Sequence, residues 1–148
     1  MIPRLLASIF CLAWLINVDA SSNREEVGVV QFKELNTVRQ RLLEWALDWS
    51  RGDANAVIAY YVDDYPIDNN EKSRKKWILQ RQQLIKPERK IQVDILIKNI
   101  FFTPTNQNII VIFEQNYTSQ SYSDTVIKKM TWKNITGEWY IQYENILK

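Results

Sequence analysis

The clearest pattern of hydrophobic and polar positions lies in the second half of the chain, where side chains alternate with the two-residue period of half-buried β-strands. The alternation runs through four segments, 90–102, 108–119, 125–133 and 139–144, with turn-forming residues between them. It predicts a four-stranded antiparallel meander with one apolar face. The positions predicted to face the core are Ile91, Val93, Ile95, Ile97, Val111, Phe113, Gln115, Tyr117, Lys128, Met130, Trp132, Trp139, Ile141 and Tyr143.

Helical periodicity replaces this alternation in the first half of the chain. Within residues 36–51, apolar side chains recur at steps of three and four, which predicts an amphipathic helix. Gly52 is suited to end this helix, and Asp53 can cap a second one over residues 54–62. The core stripe of the first helix consists of Val38, Leu42, Trp45, Ala46 and Trp49.

A third helix and a leader complete the predicted elements. Asp68 and Glu71 have the spacing of a capping box for a helix over residues 69–85. Residues 21–35 are interpreted as a leader, in which residues 29–32 fit either a short strand or an apolar approach to the first helix. The pattern therefore predicts an α+β fold, in which three amino-terminal helices pack on a curved four-stranded antiparallel sheet.

The amino terminus has the pattern of a secretory signal peptide over residues 1–20. Arg4 precedes an apolar run over residues 5–16, and small residues stand before a predicted cleavage after Ala20. The run is short for a hydrocarbon core of about 30 Å, so cleavage is favoured over a retained anchor. We therefore expect a periplasmic or secreted protein without stable membrane insertion, with residues 36–148 as its folded domain.

Composition excludes several kinds of chemistry. The net charge is only +2 and no basic run alternates with aromatic residues, so no nucleic-acid interface is expected. The chain has no histidine, and Cys11 lies in the predicted signal peptide, which excludes Ser-His and Cys-His nucleophiles from the mature chain. Asp63, Asp64 and Asp68 lack the glycine and distal glutamate of a calcium loop. Neither a metal nor a cofactor is expected.

Carboxylates and tyrosines remain as candidates for acid–base chemistry, which in other proteins uses a buried acid with an oxyanion partner. No pair stands out by its spacing, so no catalytic residue is assigned. The candidate acids are Asp48, Asp63, Asp64, Glu114 and Glu144, with Tyr61 or Tyr117 as the partner.

Three polar residues, Gln115, Tyr117 and Lys128, continue the predicted core face of the sheet. Two interpretations of these residues stay open. In the first, Lys128 pairs with Asp124 or Glu144 in an internal network. In the second, these residues form the mouth of a pocket for a carboxylate-bearing ligand such as a peptide terminus. The ligand-binding residues of the pocket interpretation are Tyr61, Tyr65, Trp77, Arg81, Gln115, Tyr117, Lys128 and Trp132.

Several short patterns resemble the nuclear transport factor 2-like superfamily, also called SnoaL-like. More narrowly, they resemble the accessory carboxy-terminal domain of periplasmic L,D-transpeptidases, which also occurs as a stand-alone exported protein. The cysteine and histidine of the transpeptidase catalytic domain have no counterpart here, so the resemblance implies the role of the accessory domain alone. The patterns are Tyr60-Tyr61-Val62-Asp63-Asp64, Phe113-x-Gln115-x-Tyr117, Tyr122-x-Asp124-x-x-x-Lys128 and Trp139-x-Ile141-x-x-Glu144, together with the first-helix tryptophans and the break at Gly52-Asp53.

Three hypotheses about function follow. The first is a non-catalytic exported domain that binds a cell-envelope component or envelope protein, related to peptidoglycan. The second is a small SnoaL-like enzyme that uses a carboxylate on a compact apolar substrate. The third is a homodimer formed through the outer face of the sheet, where Leu96, Ile110, Ile112 and Tyr140 are diluted by charged residues.

Overall fold

The computed structural model describes residues 20–66 and 71–147. The predicted signal peptide up to residue 19 and the predicted cap Asp68 lie outside these ranges. Three α-helices and a short 3-10 turn precede four strands. They are α1 (Ala20–Arg51), α2 (Ala54–Ala59), α3 (Glu71–Leu84), the turn Pro87–Arg89, β1 (Gln92–Phe102), β2 (Asn108–Thr118), β3 (Ser123–Ile135) and β4 (Glu138–Ile146).

The strands form one antiparallel sheet in the order β1-β2-β3-β4, as the alternation predicts. The inner face of this sheet meets the apolar stripe of α1, which contributes Val38, Leu42 and Trp45 as fully buried side chains. Opposite them, Phe113 and Trp132 are equally buried. The predicted α+β fold of helices on a four-stranded sheet is confirmed.

Gly52 ends α1, as predicted. Its φ of 74° is a left-handed conformation that favours glycine. A Cβ atom at this position would overlap the backbone of Lys86 and Pro87. The glycine therefore both reverses the chain and lets the segment after α3 pass close to the end of α1.

The predicted start of the first helix at Asn36 was wrong, because α1 begins at Ala20 and includes the predicted leader. Residues 29–32 are therefore helical, and the strand alternative is excluded. Only one glycine and no proline interrupts residues 20–35, so local propensity permits the extension. Val29 and Phe32 stay 68% and 67% exposed, which explains why core periodicity gives no signal for this part of the helix.

The second helix is shorter than predicted, because it ends at Ala59 instead of residue 62. The next residues leave the helix to pair with β4. The Val62 amide donates to the Ile141 carbonyl at 3.0 Å, and the Ile141 amide donates to the Tyr60 carbonyl at 2.7 Å. This pairing covers part of the free edge of β4 and points Tyr61 into the domain, where it is 2% exposed.

Candidate functional site

A β-bulge in β4 decides which carboxylate enters the domain. Thr131 pairs with Tyr143 but Trp132 pairs with Ile141, so Gln142 is an extra residue in the ladder. The alternation reverses at that point, which turns Glu144 inward. The prediction that Tyr143 faces the core was therefore wrong, and its side chain is 47% exposed.

Glu144 forms a buried ion pair with Lys128. The Lys128 ammonium lies 2.5 Å from Oε1 of Glu144, and the two side chains are only 12% and 10% exposed. The Tyr61 hydroxyl donates to the other carboxylate oxygen at 2.6 Å. The internal network is thus present, with Glu144 rather than Asp124 as the partner of Lys128.

The protonation of this network follows from its contacts. Burial alone would raise the pKa of Glu144, but the charge and hydrogen bond of Lys128, the Tyr61 hydroxyl and the charge of Arg81 bring that pKa below its ordinary value. Burial and the negative charge of Glu144 raise the pKa of Tyr61 well above its ordinary value. The carboxylate is therefore ionised and the phenol neutral at physiological pH.

An aromatic cluster surrounds Tyr61. The ring centroids of Tyr61, Tyr65 and Trp77 lie 4.7 to 5.0 Å apart. The guanidinium of Arg81 lies over the rings of Trp49 and Trp77, at 5.5 and 5.6 Å from their centroids. Because Arg81 and Lys128 face the single carboxylate of Glu144, this part of the interior carries a net positive charge.

A cavity of about 340 Å³ opens beside the hairpin between β2 and β3. The inward-facing residues of both strands form one wall, and the ends of α1 and α3 form the other. Its size is in the range of small-ligand pockets. The cavity is lined by Trp49, Leu84, Arg89, Gln115, Tyr117, Ser119, Ser121, Tyr122, Asp124, Val126, Lys128 and Ile146.

Two buried polar atoms of the cavity lining lack a partner. Within the described residues, Oε1 of Gln115 and Nε1 of Trp49 have no hydrogen-bond partner. Gln115 is 8% exposed and Trp49 is 6% exposed. The first atom accepts hydrogen bonds and the second donates them. Buried polar groups are normally paired. Other buried donors of the described residues are also unpaired, among them the indole N–H groups of Trp45, Trp77 and Trp132, but Oε1 of Gln115 is the one unpaired buried side-chain acceptor among these residues.

The structure brings three of the predicted ligand-binding residues together on the cavity, namely Gln115, Tyr117 and Lys128. Four others belong to the aromatic cluster and its adjoining guanidinium and do not line the cavity, namely Tyr61, Tyr65, Trp77 and Arg81. Trp132 is completely buried in the core, because the central strand β3 places it under α1, and it is therefore not a lining residue.

Sequence patterns missed much of the cavity wall. Leu84 and Arg89 come from the end of α3 and the following turn, and Tyr122 comes from the hairpin. The Gln120 amide donates to the Arg89 carbonyl at 3.3 Å, so a long-range contact brings these two segments together. No local signal in the sequence indicates that contact.

The other candidate acids lie away from the cavity. Asp48 accepts a hydrogen bond from the Tyr60 hydroxyl at 3.0 Å, and Glu114 pairs with Lys98 on the outer face of the sheet at 3.2 Å. Asp63 and Asp64 are exposed in a turn. Among the described residues, no cluster of three or more His, Cys, Asp or Glu side chains is placed to hold a metal ion.

Comparison with known families identifies the class of protein that this fold and cavity define. The chain belongs to the family of Cds6 C-terminal NTF2-like domains, whose sequence model matches residues 37–145. The predicted resemblance to the nuclear transport factor 2-like superfamily is confirmed. A search of curated protein sequences gives no match.

Solved structures show the same fold at low sequence identity. An NTF-2 like protein of unknown function from Shewanella oneidensis superposes with a TM-score of 0.61 at 16% identity, over 75% of this chain and 96% of that chain. Bd1075 from Bdellovibrio bacteriovorus gives 0.55 at 19% identity, over 72% of this chain and 38% of that chain. The helical cell shape determining protein Pgp2 from Campylobacter jejuni gives 0.54 at 18%, over 70% of this chain and 37% of that chain. The present chain thus matches less than half the length of the last two.

None of the helices in the described ranges is both long enough and apolar enough to cross a membrane.

Proposed function

We propose that the chain is an exported, non-catalytic domain that binds a peptidoglycan-related ligand of the cell envelope in the cavity beside the β2–β3 hairpin. The observation that carries this proposal is that two residues of the cavity lining each contain a buried polar atom without a partner, Oε1 in Gln115 and Nε1 in Trp49. Each would gain a hydrogen bond from a ligand group that reaches it.

The two unpaired atoms are complementary to an amide group. A ligand N–H can donate to Oε1 of Gln115, and a ligand carbonyl can accept from Nε1 of Trp49. A buried polar atom without a partner costs about 1–3 kcal/mol, so hydrogen bonds from a peptide-like ligand would offset part of that cost. The stem peptide of peptidoglycan is an envelope component that carries such amides.

Charges on the cavity wall extend this complementarity. Arg89 and Asp124 both line the cavity and offer one positive and one negative group. The ammonium of Lys128 is already neutralised by Glu144, but Arg81 behind Trp49 leaves the adjoining interior positive. A ligand that carries a carboxylate together with amides fits these charges better than a purely apolar compound.

Three further points support the cell envelope as the place of action. The amino-terminal residues have the pattern of a signal peptide. One protein of the same fold is a helical cell shape determining protein, and cell shape is a property of the envelope. The resemblance to the accessory domain of L,D-transpeptidases points the same way, and we propose periplasmic or secreted localisation.

A carboxylate enzyme has less support. Glu144 is the candidate acid inside the domain, and both of its oxygens already accept hydrogen bonds, from Lys128 and from Tyr61. Its pKa is lowered, because the nearby cations and hydrogen bonds outweigh burial, which makes the carboxylate a weak base. It also does not line the cavity.

The proposal is tested by retention of the purified protein on isolated sacculi, with the variant Gln115→Met. Methionine keeps most of the side-chain volume and removes the unpaired oxygen. We expect the variant to be at least as stable as the parent, because a buried unsatisfied group is lost, but to be retained several-fold less.

The matched control is Gln83→Met, which changes an exposed glutamine of α3 outside the cavity and should leave retention unchanged. Equal retention of the parent and the Gln115 variant would reject the cavity as the binding site. Failure of the parent to bind sacculi would reject the peptidoglycan assignment.

A further inference from the structure

A second concave region lies near the amino-terminal half of α1, whereas the cavity lies at the carboxy-terminal end of that helix, and the two regions differ in chemistry. This groove has a volume of about 650 Å³. Its walls are the amino-terminal half of α1 and the ends of the β1–β2 and β3–β4 hairpins. It shares no lining residue with the cavity, so ligand binding at one can be measured without the other.

Side-chain amides dominate the lining of the groove. Asn134 already accepts a hydrogen bond from the Gly137 amide at 2.9 Å. The other amide side chains make no hydrogen bond within the described residues. These five free amides are Gln31, Asn106, Gln107, Asn108 and Gln142.

The floor of the groove is aromatic and held in place. Trp139 packs edge-on against Phe102, with ring centroids 6.3 Å apart. Its indole N–H donates to the carboxylate of Glu34 on α1. Glu34 and Lys133 are the charged residues of the lining, one of each sign, so the groove has no net charge.

We propose that this groove binds a neutral, hydroxyl-rich chain, that is, an oligosaccharide. Each amide both donates and accepts, which matches hydroxyl groups that do the same. Half-buried Phe102, held by its packing on the buried ring of Trp139, supplies apolar contact for the carbon face of a sugar ring. The balanced charges disfavour phosphorylated or sulfated polymers, which would need an excess of cations.

An extended peptide is the main competing ligand, and the geometry disfavours it. Peptides commonly add as a strand to a free sheet edge. The edge of β4 is already occupied at Ile141, beside the groove residue Gln142, since the amide and carbonyl of Ile141 bond to Tyr60 and Val62. The groove therefore offers side-chain amides instead of a backbone ladder.

The test is a titration of the ¹⁵N-labelled protein with chitotetraose and with maltotetraose, followed by NMR. For at least one sugar, we expect shifts at the Trp139 indole N–H and at the amides of Gln31 and Gln107, with none at the amide of Gln115. The double variant Gln31→Ala/Gln107→Ala should weaken binding about tenfold, the loss expected for two neutral hydrogen bonds.

The matched control is Gln40→Ala, an exposed glutamine of α1 outside the groove, which should leave the affinity unchanged. Three results would overturn the proposal: no shift with either sugar, shifts at the cavity instead of the groove, or unchanged affinity in the folded double variant. Equally tight binding of a neutral tetrapeptide amide at the groove would also contradict it. Each of these outcomes leaves the sacculus assay of the cavity to be judged separately.

Discussion

The ammonium of Lys128 and the carboxylate of Glu144 lie 2.5 Å apart inside the domain, although the two residues are not directly opposite in the sheet. Lys128 pairs with Ile146, and Glu144 pairs with Met130, so the ion pair runs diagonally across neighbouring positions. The same lysine lies 5.8 Å from the ring centroid of Trp45. Lys128 thus belongs to the core network and also lines the cavity.

Removal of the lysine charge should destabilise the protein. In Lys128→Met, most of the side-chain volume remains but the buried carboxylate of Glu144 loses its partner. We expect the free energy of unfolding to fall by about 3–5 kcal/mol, measured by chemical denaturation.

The control for this variant is Lys98→Met, which removes the pair with Glu114, where the side chains are 43% and 29% exposed. Exposed pairs contribute about 0–1 kcal/mol, so this change should have little effect. If Lys128→Met were no less stable than Lys98→Met, the buried ion pair would not contribute to folding.

Acid should weaken the fold through Glu144. Its pKa in the folded protein lies below the ordinary value of 4.5, because Lys128, Tyr61 and Arg81 outweigh the effect of burial. The unfolded chain therefore binds the proton more readily than the folded protein. The stabilisation by Glu144 is complete above pH 4.5 and is lost as the pH falls through the pKa of the folded protein.

The measurement is the free energy of unfolding from about pH 6 to about pH 3. Glu144→Gln should lower stability at the upper end of this range and show a flatter decline in acid than the parent. Glu88→Gln, at an exposed position in the 3-10 turn, serves as the control and should follow the parent curve. A Glu144 variant with the parent's acid slope would contradict the pKa shift.

Gly52, just after α1, and Gly28, within α1, should respond in opposite directions to alanine. Gly52→Ala forces a side chain into the left-handed conformation and against the backbone of Lys86 and Pro87, and should cost about 2 kcal/mol or more. Gly28 is helical with no atom within 4 Å of an added Cβ. Gly28→Ala should therefore be neutral or stabilise by up to about 1 kcal/mol. Thermal unfolding of both variants checks the pair, and equal melting temperatures would contradict the assigned role of Gly52.

The fold could be predicted from the sequence where burial is one-sided. The helical period is visible in the stripe of Val38, Leu42 and Trp45, and the strand period in the alternation around Phe113 and Trp132. Both periods are visible because one face of each element meets the core and the other meets solvent along these stretches. The amino-terminal half of α1 was missed for the same reason. Its apolar residues do not reach the core, so no periodic signal distinguishes helix from leader.

The candidate site was harder to predict, because it depends on an irregularity and on long-range contacts. Strict alternation in β4 assigns Tyr143 to the core, and only the extra residue Gln142 turns Glu144 inward. The pairing of Lys128 with Asp124 or Glu144 stayed open in the sequence for this reason. Gln115 and Tyr117 lie in β2, whose pairing with β3 has no register shift, and their placement on the inner face was predicted.

The extra residue in β4 ties the two concave regions of the domain together. Gln142 itself lines the groove, while the reversal it causes turns Glu144 inward, where it binds Lys128, a lining residue of the cavity. Deleting one residue from β4 would therefore change which side chains face both regions, whereas a side-chain substitution could change either region alone. Selection on this strand should accordingly conserve its length more strictly than its composition.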